Sequence, residues 1–65
     1  MQIVLNGESM NTEQQTLADL LIEQGYQEMN VATALNQMFV ARADRRDAKL
    51  EEGCRVEIVA PMQGG

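Results

Sequence analysis

Sixty-five residues, 45% of them hydrophobic and 23% charged, suffice for one small domain, which buries only about 60% of the surface its unfolded chain exposes and leaves little interior for a substrate. A net charge of −5, no histidine, one cysteine, and one tyrosine and one phenylalanine as the only aromatic residues argue against a nucleic-acid surface, which needs cations for phosphates and rings for stacking. The same counts argue against Ser-His or Cys-His catalysis, an internal disulfide and a thiolate-held zinc or iron–sulfur site, so that neither enzyme activity nor a bound metal is expected.

Met1, Ile3 and Leu5 alternate with Gln2 and Val4 in the period of a strand, and Asn6-Gly7 is the dipeptide favoured by a two-residue hairpin turn. The chain is predicted to return over residues 8–12, which are polar except for Met10 and therefore suit a sheet edge. Thr16 with Asp19 three residues later forms a variant of the capping box, placing a hydroxyl on a free N–H and a carboxylate at the positive helix end. Leu17, Leu20 and Leu21 then share one helical face, and Gly25 closes the helix in the left-handed conformation. A loop with Tyr26 and Met29 leads to a third strand, where Val31, Thr33 and Leu35 alternate with Ala32 and Ala34. Asn36-Gln37 is read as a turn and Phe39-Val40 as a short fourth strand. Residues 43–48 read as an irregular connection or one helical turn, with Asp44-Arg45-Arg46-Asp47 a solvated, self-neutralising surface and Leu50 its apolar anchor. Glu51-Glu52-Gly53 turns the chain into a last strand, residues 55–60, with Val56, Ile58 and Ala60 on one face; Pro61 ends it because it has no N–H for a ladder.

The order ββαβββ, without repeat or linker, describes an α+β fold: a curved mixed sheet of about five strands around one helix, the last strand parallel to the first through a right-handed crossover. This is the β-grasp arrangement. Residues 1–60 are expected to form that domain and residues 61–65 a flexible C-terminal tail ending in Gly64-Gly65. No Cβ shields a glycine carboxylate, and with a pKa of roughly 3.3 to 3.7 it is ionised at neutral pH and can attack an activated phosphate without a general base. Ordering residues 62–65 in a partner's active site costs roughly 1 to 2 kcal/mol per residue. On the order of 200 to 300 Å² of buried apolar surface offsets that, and Phe39, Val59 and Met62 are the candidates. Phe39 reads equally as core, because Val40 fits the inward alternation better. Cys54 suits a small half-buried residue at the start of a strand, with only Arg55 nearby to activate it, and is read as packing. No basic segment followed by a long apolar one opens the chain and no apolar run reaches membrane-spanning length, so the cytoplasm is expected and a membrane is not.

Asn6-Gly7, Val31-Ala32-Thr33-Ala34-Leu35-Asn36, Phe39-Val40 with Arg42, Leu50 ahead of Gly53, and Val56-Glu57-Ile58-Val59 running into Gly64-Gly65 together resemble the ThiS family of sulfur carriers in thiamine biosynthesis. The resemblance rests on order and spacing over nearly the whole chain. Departures from the family pattern are Cys54 where an acidic residue is common, Ala41 where a proline often precedes the arginine, Asn36-Gln37 in place of Asn-Gly, and Thr33 at a usually apolar position. The resemblance implies a ubiquitin-like carrier rather than an enzyme. Its Gly65 carboxylate would be adenylated by a ThiF-type adenylyltransferase using ATP and magnesium, then converted to a thiocarboxylate with sulfur from a donor such as a cysteine desulfurase. The acceptor would be thiazole synthase, ThiG. Gly64 then serves as a slim approach to the reacting residue, and Gln63, Met62, Phe39 and Val59 as partner contacts; no cofactor is bound by the chain, which is expected to be a monomer when free. The small subunit of molybdopterin synthase, a ubiquitin-like protein modifier and a plain β-grasp interaction module are the alternatives.

Overall fold

The computed structural model describes residues 1–26 and 30–60. Two tight turns organise its sheet. Asn6 and Gly7 have φ of 50° and 86°, the pair of positive values that a twisted hairpin needs, and they fold β1 (Gln2–Leu5) back on β2 (Glu8–Asn11). Asn36 and Gln37, with φ of 50° and 70°, do the same between β3 (Ala32–Leu35) and β4 (Met38–Val40). β5 (Arg55–Val59) lies between the hairpins, parallel to β1 and antiparallel to β3, giving the order β2-β1-β5-β3-β4. The mixed sheet and single helix are the expected β-grasp fold.

Gln37 is the one position where the second turn lacks the residue its geometry favours. A side chain held at positive φ costs roughly 1 to 2 kcal/mol, part of which a glycine returns through its greater freedom in the unfolded chain. Gln37→Gly is therefore expected to stabilise the domain by about 0.5 to 1 kcal/mol, raising the melting temperature by about 2 to 8 °C. A lower melting temperature would show that the Gln37 side chain contributes more than its backbone costs.

Helix α1 (Leu17–Glu23) is closed at both ends by its own sequence. At the start, Asp19 N–H donates to Thr16 Oγ1 (3.2 Å), while Leu17 and Ala18 donate to the carbonyls of Ala48 (2.9 Å) and Arg45 (3.1 Å). The orphan donors of the first turn are thus taken up by the connection between β4 and β5. At the end, Gly25 (φ 86°) donates to Ile22 O and Tyr26 to Leu21 O, the paired bonds of a Schellman cap, with Tyr26 packed partly against the core. Leu17, Leu20 and Leu21 meet Ile3, Val31, Leu50, Cys54, Val56 and Ile58 in a single buried cluster. Below the helix end, Glu23 accepts from Thr12 Oγ1 (2.9 Å) and Gln14 Nε2 (3.2 Å), which hold its carboxyl below the ordinary range, Thr12 most strongly.

Several expectations are corrected here. β5 stops at Val59, because its last paired residue faces Ala32, the first of β3; Ala60 is exposed and does not continue the Val56–Ile58 face. β2 stops at Asn11, and Thr12 is buried, its carbonyl accepting from the Met1 ammonium (2.7 Å). Cys54 is fully buried rather than half-buried. The Asp44-Arg45-Arg46-Asp47 stretch is not a uniformly solvated surface. It follows directly on a single 3-10 turn, Arg42–Asp44, that swings Arg45 inward, where its Nε donates to Thr33 Oγ1 (3.0 Å) and its Nη2 to Val31 O (2.6 Å). Thr33, only 2% exposed, donates in turn to Val40 O (2.9 Å). That arrangement explains how a polar residue occupies a core-facing strand position without an unpaired hydroxyl.

Candidate functional site

The sheet carries the base of the C-terminal segment on its central strand. Along β5, Val56 and Ile58 are buried while Arg55, Glu57 and Val59 face outward. Two asparagines from the hairpin turns lock this strand. Asn36 Oδ1 accepts from Arg55 N–H (2.9 Å) at its start. Asn6 accepts from Ile58 N–H through Oδ1 (2.8 Å) and donates through Nδ2 to Ile58 O (3.2 Å), so one side-chain amide extends the β1 ladder beyond the end of β1. The strand is held on both sides nearly to its last residue. Pro61, Met62, Gln63, Gly64 and Gly65 lie outside the described residues, and so do the roles expected of Gly65, Gly64, Gln63 and Met62.

Phe39 and Val59 stand on one face. Phe39 is opposite Ala34 and Val59 opposite Ala32; residues paired across a ladder share a face, as do residues two apart on one strand. Both therefore project from the side away from α1, with Ala32 and Ala34 on the strand between them and Glu57, which pairs with Ala34, on the same face. Their exposures, 74% and 61%, remove the core reading of Phe39. Val40, facing Thr33, takes the inward position. Sequence reasoning missed three contributors to this region. Met38, at the rim of β4, is exposed; Asn6 was legible only as a turn former; and Arg45 was counted among surface charges although it fastens the connection after β4 to β3. Burial, and then the neighbouring Arg42, push the Arg45 guanidinium below its usual range, and it stays charged.

A cleft of about 830 Å³ against α1 is lined by Asp19, Tyr26 and Asp47 together with Arg42, Arg45 and Arg46. Among the described residues no group of three or more His, Cys, Asp or Glu is placed to hold a metal ion, and no helix is long and apolar enough to cross a membrane. On the side away from α1 the described residues offer β5, a strand held on both sides, beside the exposed Phe39 and Val59.

Residues 3–65 match the model of the ThiS family. The chain belongs to that family. It is 41% identical over 61 residues to the sulfur carrier protein ThiS of Thermus thermophilus, covering 94% of this chain and 95% of that one. Its fold is also that of the thiamine biosynthesis protein (ThiS) from Geobacter metallireducens, whose crystal structure superposes with a TM-score of 0.82 over 100% of both chains. At 23% identity this second likeness bears on the fold alone. Two of the four departures noted in the sequence have local explanations: Thr33 is matched by Arg45, and Cys54 is part of the core.

Proposed function

We propose that this chain, a ThiS-family sulfur carrier of thiamine biosynthesis, holds its sulfur as a thiocarboxylate of Gly65. The observation that supports this most is the family match running through residue 65, on a fold whose central strand, β5, ends at Val59. The chain acts as a protein cosubstrate. An oxygen of the Gly65 carboxylate attacks the α-phosphorus of ATP in a ThiF-type adenylyltransferase and pyrophosphate leaves. A sulfur nucleophile then attacks the acyl carbon and expels AMP, leaving sulfur where oxygen was. The carrier next brings that sulfur, a softer and stronger nucleophile than the oxygen it replaced, to thiazole synthase in the cytoplasm.

Each residue has a physical role in this reading. Gly65 supplies the reacting carbon, and Gly64 keeps the approach free of a Cβ where a channel closes around the backbone. Met62 and Gln63 meet the walls of that channel. Phe39 and Val59 give the partner enzymes apolar area whose burial offsets the cost of ordering the tail, roughly 1 to 2 kcal/mol for each residue fixed.

The adenylation step is tested by exchange of labelled pyrophosphate into ATP. Exchange is expected only when the adenylyltransferase, magnesium and this chain are all present, and is expected to vanish when the Gly65 carboxyl is converted to an amide. Equal exchange with the amidated chain would overturn the assignment of Gly65.

A further inference from the structure

An apolar patch holds a partner without telling it which way to face, because hydrophobic attraction has no direction. A carrier that must aim a short tail into an active site needs a second, directional contact. Beside the Phe39–Val59 face a small pocket of about 210 Å³ is lined by Asn30, Val31, Ala32, Phe39, Arg42 and Arg45. Arg42 and Arg45 line it, and among its described lining residues there is no carboxylate; the same two arginines also border a second cleft against α1, which Asp19 and Asp47 line. In a chain of net charge −5, this is where an acidic group meets attraction.

We propose that the Arg42–Arg45 pocket is a socket for a carboxylate side chain of the adenylyltransferase, which enters it as the enzyme's apolar surface covers Phe39 and Val59. The inference rests on the reading that this face is where the enzyme docks. Arg45 is fixed in advance by its bonds to Thr33 Oγ1 and Val31 O. These use two of its five N–H donors, so a partner carboxylate finds an oriented fork and little side-chain freedom is lost on binding. Arg42, exposed at the start of the 3-10 turn, is the movable half. Arg42 disfavours the charged form of Arg45, and an anion in the pocket relieves that repulsion. The pocket also sits at the start of β3, where Ala32 faces Val59, so the clamp lies beside the end of β5 that precedes the tail.

Arg42 is the residue to change, because Arg45 also supports the fold. Binding of the full-length chain to the adenylyltransferase is measured at low and high salt, with a thermal melt of each variant. Arg42→Gln is expected to weaken binding about tenfold at low salt and to flatten the salt dependence, as for loss of one close charge pair, with the melting temperature unchanged. Arg42→Lys is expected to restore the salt dependence and only part of the affinity. Phe39→Ala is expected to weaken binding at every salt concentration without altering the slope. If Phe39→Ala weakens binding while Arg42→Gln keeps the parent affinity and slope, the socket is wrong and the docking face stands. If neither variant changes binding, the docking face is wrong and the socket falls with it.

Discussion

Deleting Gly64 and Gly65 is expected to abolish sulfur transfer while leaving the domain as stable as before. Among the described residues every ladder pair of the sheet and every residue of the buried cluster lies within residues 1–60, and the deletion removes none of these. A change of no more than about 0.5 kcal/mol is expected, as for surface changes away from special features. Function falls to nothing because the reacting carbon is gone. Gly64→Val separates the width of the tail from its chemistry. The carboxylate remains, but a β-branched side chain stiffens and widens the segment where a close-fitting channel needs bare backbone. Adenylation by the variant is expected to be slowed severely, with thermal melting unchanged. Adenylation at the parent rate would rule out the narrow channel, and unfolding of the deletion variant would make the tail a structural element.

The opposite pattern, loss of function through loss of fold, is expected for Leu20→Ala. Leu20 is completely buried at the middle of α1, and truncating a buried leucine to alanine costs about 2 to 5 kcal/mol through lost burial and the cavity left behind. A domain this small has roughly 3 to 10 kcal/mol to lose. At about 4 to 8 °C per kcal/mol, the melting temperature should fall by about 8 to 40 °C, and sulfur transfer should fail at the temperature where the variant unfolds although the tail is intact. Ile22→Ala is the control. Two residues along the same helix and 55% exposed, it should change stability by less than about 0.5 kcal/mol. Equal losses at both positions would mean that the helix faces the sheet differently.

The parts of the fold that could be read from the sequence are those with local causes. Asn6-Gly7 demands positive φ, Thr16 and Gly25 mark the ends of a helix whose leucines share one face, and a β-branched strand belongs in the sheet interior; each rule involves residues a few positions apart. What escaped depends on partners far along the chain. The Asn6 amide reaches Ile58, fifty-two positions away, and Arg45 is drawn inward by Val31 and Thr33, so neither side chain's role follows from its neighbours. Phe39 shows the limit most clearly. In a three-residue strand with three apolar side chains an alternation of period two has no phase of its own. The phase comes from pairing, since Val40 opposite the buried Thr33 must face inward and Phe39 opposite Ala34 must then face out. The reactive end proposed above rests on a different kind of reading: it comes from the chemistry of a glycine pair in a chain with no histidine and a single, buried cysteine.

Intact mass spectrometry tests the central claim most directly. The chain, purified with a free carboxyl terminus from thiamine-starved cells, is weighed whole and then fragmented. A mass gain equal to the exchange of one oxygen for one sulfur, located on Gly65, is the expected result. A gain of a whole sulfur atom located on Cys54, with Gly65 unchanged, would contradict it and make the buried thiol the carrier.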